Sequence, residues 1–74
     1  MNIASPITRP CPFTRTEHKI VQLIANGVHT KDAAFMLGLS IHTVNDYVQD
    51  AKRKARATGR DHLVAISIRS KWIE

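Results

Sequence analysis

Apolar residues recur at spacings of three and four along most of the chain, which is the spacing of amphipathic helices. The third predicted helix shows it best: it begins after Ser40, continues to about Ala57, and has an apolar stripe of Ile41, Val44, Val48, Ala51 and Ala55. The first predicted helix runs from about Arg15 to Asn26, with a stripe of Ile20, Val21, Leu23 and Ile24. No segment shows the strict alternation of a β-strand. The pattern predicts an all-α fold.

Signals at the helix ends divide the rest of the chain into two further helices. Thr14 with Glu17, and Thr58 with Asp61, have the spacing of capping boxes, and Gly27 predicts the end of the first helix. The second predicted helix starts after Thr30 and ends at Gly38, with inward-facing Ala33, Ala34 and Leu37. The fourth follows Gly59 and is apolar on more than one side, through Leu63, Val64, Ile66, Ile68, Trp72 and Ile73. The sequence therefore predicts a four-helix bundle.

A short helix, the tripeptide Gly38-Leu39-Ser40 and a longer amphipathic helix follow one another in the order of a helix-turn-helix. Glycine permits the sharp turn, Leu39 can fill the space between the two helices, and Ser40 is a favourable N-cap. An ordinary helical hairpin has the same order of elements, so the spacing leaves both interpretations open.

The length of 74 residues is enough for one domain. A core this small can hardly frame a catalytic cleft, and no catalytic motif occurs, so we expect neither an enzyme nor a cofactor. All three prolines lie in residues 1–12, which predicts an extended N-terminal arm or linker, followed by the domain at residues 13–74. The starting Met1 suggests a complete small regulator, and an excised domain is the alternative.

Eleven Lys and Arg stand against six Asp and Glu, and the resulting net charge of +5 favours a polyanionic partner such as nucleic acid. Cys11 is the only cysteine, so an intramolecular disulfide is excluded, and a single cysteine fits a reducing cytoplasm. Cys11 lies between two prolines, and we expect it to have no role. The four histidines are scattered, so we expect no metal site. No segment is long enough to predict a membrane span, and no small-molecule site is evident.

Opposite its apolar stripe, the third predicted helix carries a polar face of His42, Asp46, Gln49 and Arg53, flanked by Asn45 and Asp50. Asn and Gln side chains can recognise adenine edges, and Asp can accept a hydrogen bond from cytosine. Five positive charges lie within nine residues, at Lys52, Arg53, Lys54, Arg56 and Arg60. Such a cluster suits DNA phosphates. The alternative is a solvated helix end, where cations are also favourable.

From Phe13 to about Ile73 the chain resembles the C-terminal DNA-binding domain of LuxR-type regulators. The resemblance is carried by Phe13-Thr14, Glu17, Ile20-Val21, Leu23-Ile24-Ala25, Gly27, Thr30-Lys31-Asp32, Ala34, Leu37, Leu39-Ser40, Thr43-Val44, Val48, Lys54, Arg60 and Leu63. Residues 62–73 resemble the quorum-sensing members most. The resemblance implies a recognition role for helix 3, dimerisation through helix 4, and binding of a homodimer to a two-fold symmetric DNA site.

The resemblance also assigns roles to single residues. The base-facing positions are Asn45, Asp46 and Gln49, with His42 added from the exposed face. The phosphate-contacting positions are Thr30, Lys31, Thr43 and Lys54, with Arg53 added from the basic cluster. The predicted dimerisation residues are Leu63, Ile66 and Trp72, because helix 4 is more apolar than one small core can bury. Arg60 is expected to brace helix 1 through a carboxylate such as Glu17.

Several positions depart from the family pattern. Asn45, followed by Asp46, stands where the family usually has Lys or Arg, and Tyr47 stands at the usual His. In helix 1, Thr16 and Lys19 stand at the positions where the family usually has Arg and Glu. Smaller side chains replace larger aliphatic ones at Ala33, Ala51 and Ala55, so we expect Phe35 or Tyr47 to turn inward and fill the core.

Three hypotheses for the function follow. The first is a DNA-binding transcription regulator that acts as a homodimer. The second is a protein-interaction module that pairs with a full-length LuxR-type regulator through helix 4 and silences it. The acidic residues on the polar face of the third predicted helix support this hypothesis. The third is a different helix-turn-helix family, such as a sigma-factor or recombinase domain. Binding to DNA upstream of its own gene distinguishes the first hypothesis from the second.

Overall fold

Residues 10–74 are described by the computed structural model of the chain. They form four helices, α1 (Arg15–Ala25), α2 (Thr30–Leu37), α3 (Ile41–Ala55) and α4 (Arg60–Arg69), and no strand. The all-α prediction is confirmed. Most of the predicted N-terminal arm lies outside the described residues; residues 10–12 are not helical, and Cys11 is exposed.

The beginning of α1 has the predicted capping box. The Thr14 hydroxyl accepts a hydrogen bond from the Glu17 N–H at 3.2 Å, and the Glu17 carboxylate accepts one from the Thr14 N–H at 2.8 Å. These bonds satisfy two amide groups that have no partner within the helix. After α1, Gly27 adopts a φ of +87°, which glycine tolerates without steric cost, and the chain turns towards α2.

The turn between α2 and α3 also has the predicted form. Gly38 adopts a left-handed φ of +69°, and the Leu39 N–H donates to the Ala34 carbonyl at 2.9 Å. The Ser40 hydroxyl accepts from the Thr43 N–H at 3.0 Å and so caps α3. Helix α2 begins at Thr30, one residue earlier than predicted, with His29 as its N-cap.

Two predictions about the later helix ends are wrong. Helix α3 ends at Ala55 rather than near Ala57, because Arg56 adopts a left-handed φ of 59°. Thr58 and Asp61 form no capping box: Gly59 is the N-cap of α4, and the backbone N–H of Thr58 donates instead to Nδ1 of His62 at 3.0 Å. The imidazole nitrogen thus accepts the Thr58 amide hydrogen that the Asp61 carboxylate would have accepted in the predicted box.

Helix α3 lies at the centre of the fold, since it packs against the other three helices. The core consists of Ile20, Val21, Ala34, Val44, Val48, Ala51, Ala55, Leu63, Trp72 and Ile73. Three small residues, Ala33, Ala51 and Ala55, are buried where larger side chains were expected. Tyr47 packs against the core, as one of the two predicted alternatives, whereas Phe35 is 88% exposed on α2. Ile41, placed in the apolar stripe, is half exposed.

The last residues do not continue α4, although the sequence predicted an apolar helix through Ile73. The helix ends at Arg69, Lys71 adopts a φ of 62°, and Trp72 and Ile73 fold back into the core. The Trp72 ring meets Phe13 edge to face, with ring centroids 5.4 Å apart. The Trp72 carbonyl accepts a hydrogen bond from Nε2 of His18 at 2.8 Å. The two ends of the domain therefore meet beside α1.

Candidate nucleic-acid interface

The recognition face of α3 comprises the exposed residues His42, Asn45, Asp46, Gln49, Asp50 and Arg53. The opposite side of the same helix buries Val44, Val48, Ala51 and Ala55 in the core. Because the core fixes one side of the helix, the polar groups on the other side point away from the protein on a rigid support. The predicted base-facing residues His42, Asn45, Asp46 and Gln49 are thereby brought together on one exposed surface.

Each carboxylate on the recognition face has a nitrogen-bearing side chain beside it on the same helix. Nε2 of His42 lies 3.4 Å from Oδ2 of Asp46, one turn further along. The Arg53 guanidinium donates to Oδ1 of Asp50 at 3.0 Å. Exposed pairs of this kind stabilise a helix by a few tenths of a kcal/mol, roughly 0.2–0.5. The Arg53 guanidinium also offsets the negative charge of Asp50, which would repel DNA phosphates.

The predicted phosphate-contacting residues do not share one environment. Lys31 is exposed at the first turn of α2, and Thr43 is half-buried, with its hydroxyl bonded to that of Ser40. Arg53 is exposed and paired with Asp50. The Thr30 hydroxyl accepts a hydrogen bond from the Arg60 guanidinium at 2.9 Å. Of this set, Lys31 and Arg53 have a cationic group most open to a ligand.

Lys54 differs from the other members because its ammonium group lies against Glu17. Its Nζ is 2.8 Å and 3.1 Å from the two carboxylate oxygens of Glu17, which is only 3% exposed. Lys54 therefore neutralises a buried carboxylate of α1, a role that the sequence had assigned to Arg60. The prediction for Arg60 is wrong, since its guanidinium binds Thr30 at the start of α2.

Comparison with known proteins identifies a family and a similar solved structure. The family model described as bacterial regulatory proteins, luxR family, matches residues 11–67. The chain belongs to this luxR family. It is also similar to the solved structure of the transcription factor GerE, with a TM-score of 0.81 and 26% identity over 89% of this chain and 97% of that chain. No curated protein sequence matches the chain.

The family and the fold together establish the broad function of this luxR-family domain. It is a helix-turn-helix DNA-binding domain of the transcription-regulator type, with α2 and α3 as the two helices of the motif, and it is not an enzyme. Among residues 10–74, no group of His, Cys, Asp or Glu is arranged to hold a metal ion. No helix in that part of the chain is long and apolar enough to cross a membrane.

The predicted dimerisation residues of this luxR-family domain lie mostly inside the single chain. Leu63 is fully buried, Trp72 is buried beside Phe13, and Ile66 is half-buried against the core. Leu63 and Trp72 are thus not available on the surface of the single chain. The apolar groups that α4 does expose are Ala65, Ile68 and, in part, Val64.

Proposed function

We propose that the chain is a sequence-specific transcription regulator that binds a two-fold symmetric DNA site as a homodimer, with α3 in the major groove. The recognition face carries this proposal: hydrogen-bonding side chains stand on one side of a helix whose other side is fixed in the core. A helix presented in this way fits the width of the major groove, where each base pair has a distinct pattern of donors and acceptors.

The roles of the interface residues follow from their chemistry. Asn45 and Gln49 offer an amide donor and acceptor for base edges, and Asp46 with its neighbour His42 completes the base-reading group. Lys31, Arg53 and the hydroxyls of Thr30 and Thr43 contact phosphates, which fix the register of the protein on the duplex. Lys54 supports the interface by holding α3 to α1 through Glu17.

Dimerisation is proposed through the exposed face of α4. Ile68 is 48% exposed, and Val64 and Ala65 lie close to it on the same helix. A self-complementary apolar strip of this kind suits a two-fold axis, on which each copy presents the same surface. The strip replaces Leu63 and Trp72 as the proposed contact, and Ile66 lies on a different side of α4, partly buried against the core.

Selection from random duplex DNA, followed by titration of the chosen site, tests the proposal. We expect a palindromic site, a single specific complex containing two copies of the chain, and an affinity that falls steeply with salt as counterions are released. Gln49→Ala should relax the preference at one base position of each half-site. A chain that binds the selected and a scrambled duplex equally at every salt concentration would contradict the proposal.

A second candidate function has its own support. Asp46 and Asp50 place two carboxylates on the recognition face, which is unusual for a surface that meets phosphates. A chain that bound DNA poorly could still pair through α4 with a full-length LuxR-type regulator and silence it. Co-purification with such a regulator, without any DNA shift by the chain at low salt, would favour this function. Gln49→Ala should then leave the silencing unchanged.

Three further properties complete the proposal. A regulator of bacterial DNA acts in the cytoplasm, and we place the chain there. The resemblance of residues 62–73 to quorum-sensing members supports a role in a quorum-sensing circuit. We place the start of the folded domain at residue 13, since Phe13 packs against the core whereas Pro10 and Cys11 are exposed.

A further inference from the structure

We propose that Asp46 selects a cytosine in each half-site and that His42 is the positioning residue that holds its carboxylate for this contact. The inference rests on the proposed function, since it requires α3 to enter the major groove. It concerns the two residues at which the recognition face carries a negative charge and a neighbouring imidazole, one turn apart.

The contact between the two side chains leaves one carboxylate oxygen for a ligand. Oδ2 of Asp46 is the oxygen that lies 3.4 Å from Nε2 of His42. Because a carboxylate oxygen can only accept, this contact is attractive in the imidazole forms that carry a hydrogen on Nε2. Oδ1 of Asp46 has no partner among the described residues, and the side chain is exposed. The free acceptor therefore lies on the exposed side of a helix whose opposite side is buried.

The chemistry of the base edges decides which base this acceptor can take. In the major groove, guanine offers only acceptors and thymine offers an acceptor and a methyl group, so both repel a carboxylate. Adenine has an amino donor beside the N7 acceptor. This pair of groups suits an amide such as that of Gln49, which can both donate and accept, better than a carboxylate, which can only accept. Cytosine presents its N4 amino group with no acceptor of its own beside it. Cytosine is thus the base that an outward carboxylate fits.

The other carboxylate of the face, that of Asp50, is held from the opposite end of the helix. Oδ1 of Asp50 accepts a hydrogen bond from the Arg53 guanidinium at 3.0 Å, which draws the group towards the C-terminal end of α3. Asp46 is drawn towards His42 at the N-terminal end of the helix. In helices of this motif the N-terminal part of the recognition helix reaches the base edges. The structure therefore gives Asp46 the base-facing position and Asp50 a role in holding Arg53.

The test measures discrimination at single base pairs. Each cytosine of the selected half-site is replaced by thymine, symmetrically in both half-sites, and the duplexes are titrated with the purified chain by fluorescence anisotropy. At one position we expect the chain to prefer cytosine by about ten- to hundredfold, the range that one good base contact provides. Asp46→Ala should abolish the preference at this position and leave the preferences at the other positions in place.

Variants of the neighbouring residues separate positioning from structure. His42→Ala should lower the cytosine preference severalfold while the melting temperature stays unchanged, because both side chains are exposed. In His42→Gln the new side-chain amide can donate to Asp46, so this variant should keep part of the cytosine preference that His42→Ala loses. Asp50→Ala is the matched control: it removes the other carboxylate of the face and should change all affinities alike without altering the cytosine-to-thymine ratio.

Two results would overturn the inference. If the chain selects a specific palindrome but Asp46→Ala keeps every cytosine preference, the proposed function stands and this contact is wrong. If Asp50→Ala removes the same preference as Asp46→Ala, the effect comes from net charge on the face rather than from an oriented acceptor. A chain that shows no sequence preference at all would overturn the proposed function, and this inference with it.

Discussion

Nζ of Lys54 lies 2.8 Å from Oε1 of Glu17, and this contact joins the end of α3 to the beginning of α1. Glu17 is 3% exposed and Lys54 29% exposed, so the carboxylate depends on the ammonium group for its neutralisation. The same Glu17 side chain also accepts the Thr14 N–H of the capping box. One carboxylate thus caps the first helix and orients the recognition helix.

Removal of Lys54 should destabilise the whole domain. In Lys54→Ala the Glu17 carboxylate stays buried without its cation, and we expect the free energy of unfolding to fall by about 3 kcal/mol. Chemical denaturation followed by circular dichroism measures this. Lys52→Ala, two residues earlier on the same helix and in no ion pair among the described residues, is the control and should cost less than about 0.5 kcal/mol. Equal losses in the two variants would show that the Glu17 contact contributes nothing.

Replacement of Ser67 should stabilise the domain. The Ser67 hydroxyl is fully buried on α4 and has no hydrogen-bond partner among the described residues. Ser67→Ala removes this group and introduces a better helix former, so we expect the free energy of unfolding to rise by about 1 kcal/mol. The control is Ala65→Ser, the reverse exchange at an exposed position of α4, for which we expect a loss of a few tenths of a kcal/mol. A destabilised Ser67→Ala protein would mean that the hydroxyl makes a bond in solution.

Association of the chain should depend on Ile68. Ile68→Asp places a charge on the exposed apolar strip of α4, and we expect it to shift sedimentation towards the monomer across micromolar to hundred-micromolar concentrations. Phe35→Asp is the control: it also replaces an exposed apolar side chain by aspartate, on α2, and it should leave association unchanged. If Phe35→Asp rather than Ile68→Asp prevents dimerisation, the two-fold axis lies at α2.

Lys31 should contribute to DNA affinity without contributing to sequence preference. The residue is exposed at the N-terminal turn of α2, where the helix dipole also favours an anion. Lys31→Ala should weaken binding to all duplexes about equally and reduce the slope of log affinity against log salt by about 1. Lys19→Ala, an exposed lysine of α1, is the control, and we expect its salt slope to stay unchanged. Identical slopes in the Lys31→Ala and unsubstituted chains would place Lys31 away from the phosphates.

The sequence by itself determined the four helices and the turn between α2 and α3. These features depend on near neighbours: apolar side chains at three- and four-residue spacing, the Thr14–Glu17 capping box, and glycine at the left-handed positions 27 and 38. The polar face of α3 follows from the same periodicity, because the residues opposite a buried stripe must be exposed. Local spacing was therefore enough to predict the helices, the turn and the exposed polar face of α3, whereas the base-reading roles came from the family resemblance.

Only the tertiary structure decided which side chains pair across the fold. Lys54 lies 37 residues from Glu17 along the chain, and Arg60 lies 30 from Thr30. The expectation that Arg60 binds Glu17 was wrong because the sequence does not show which of two cations, Lys54 in α3 or Arg60 at the start of α4, faces Glu17 once the helices are packed. In the same way Leu63 and Trp72 looked like surplus apolar surface. The left-handed turn at Lys71 returns Trp72 to Phe13, and burial within one chain replaces burial between two.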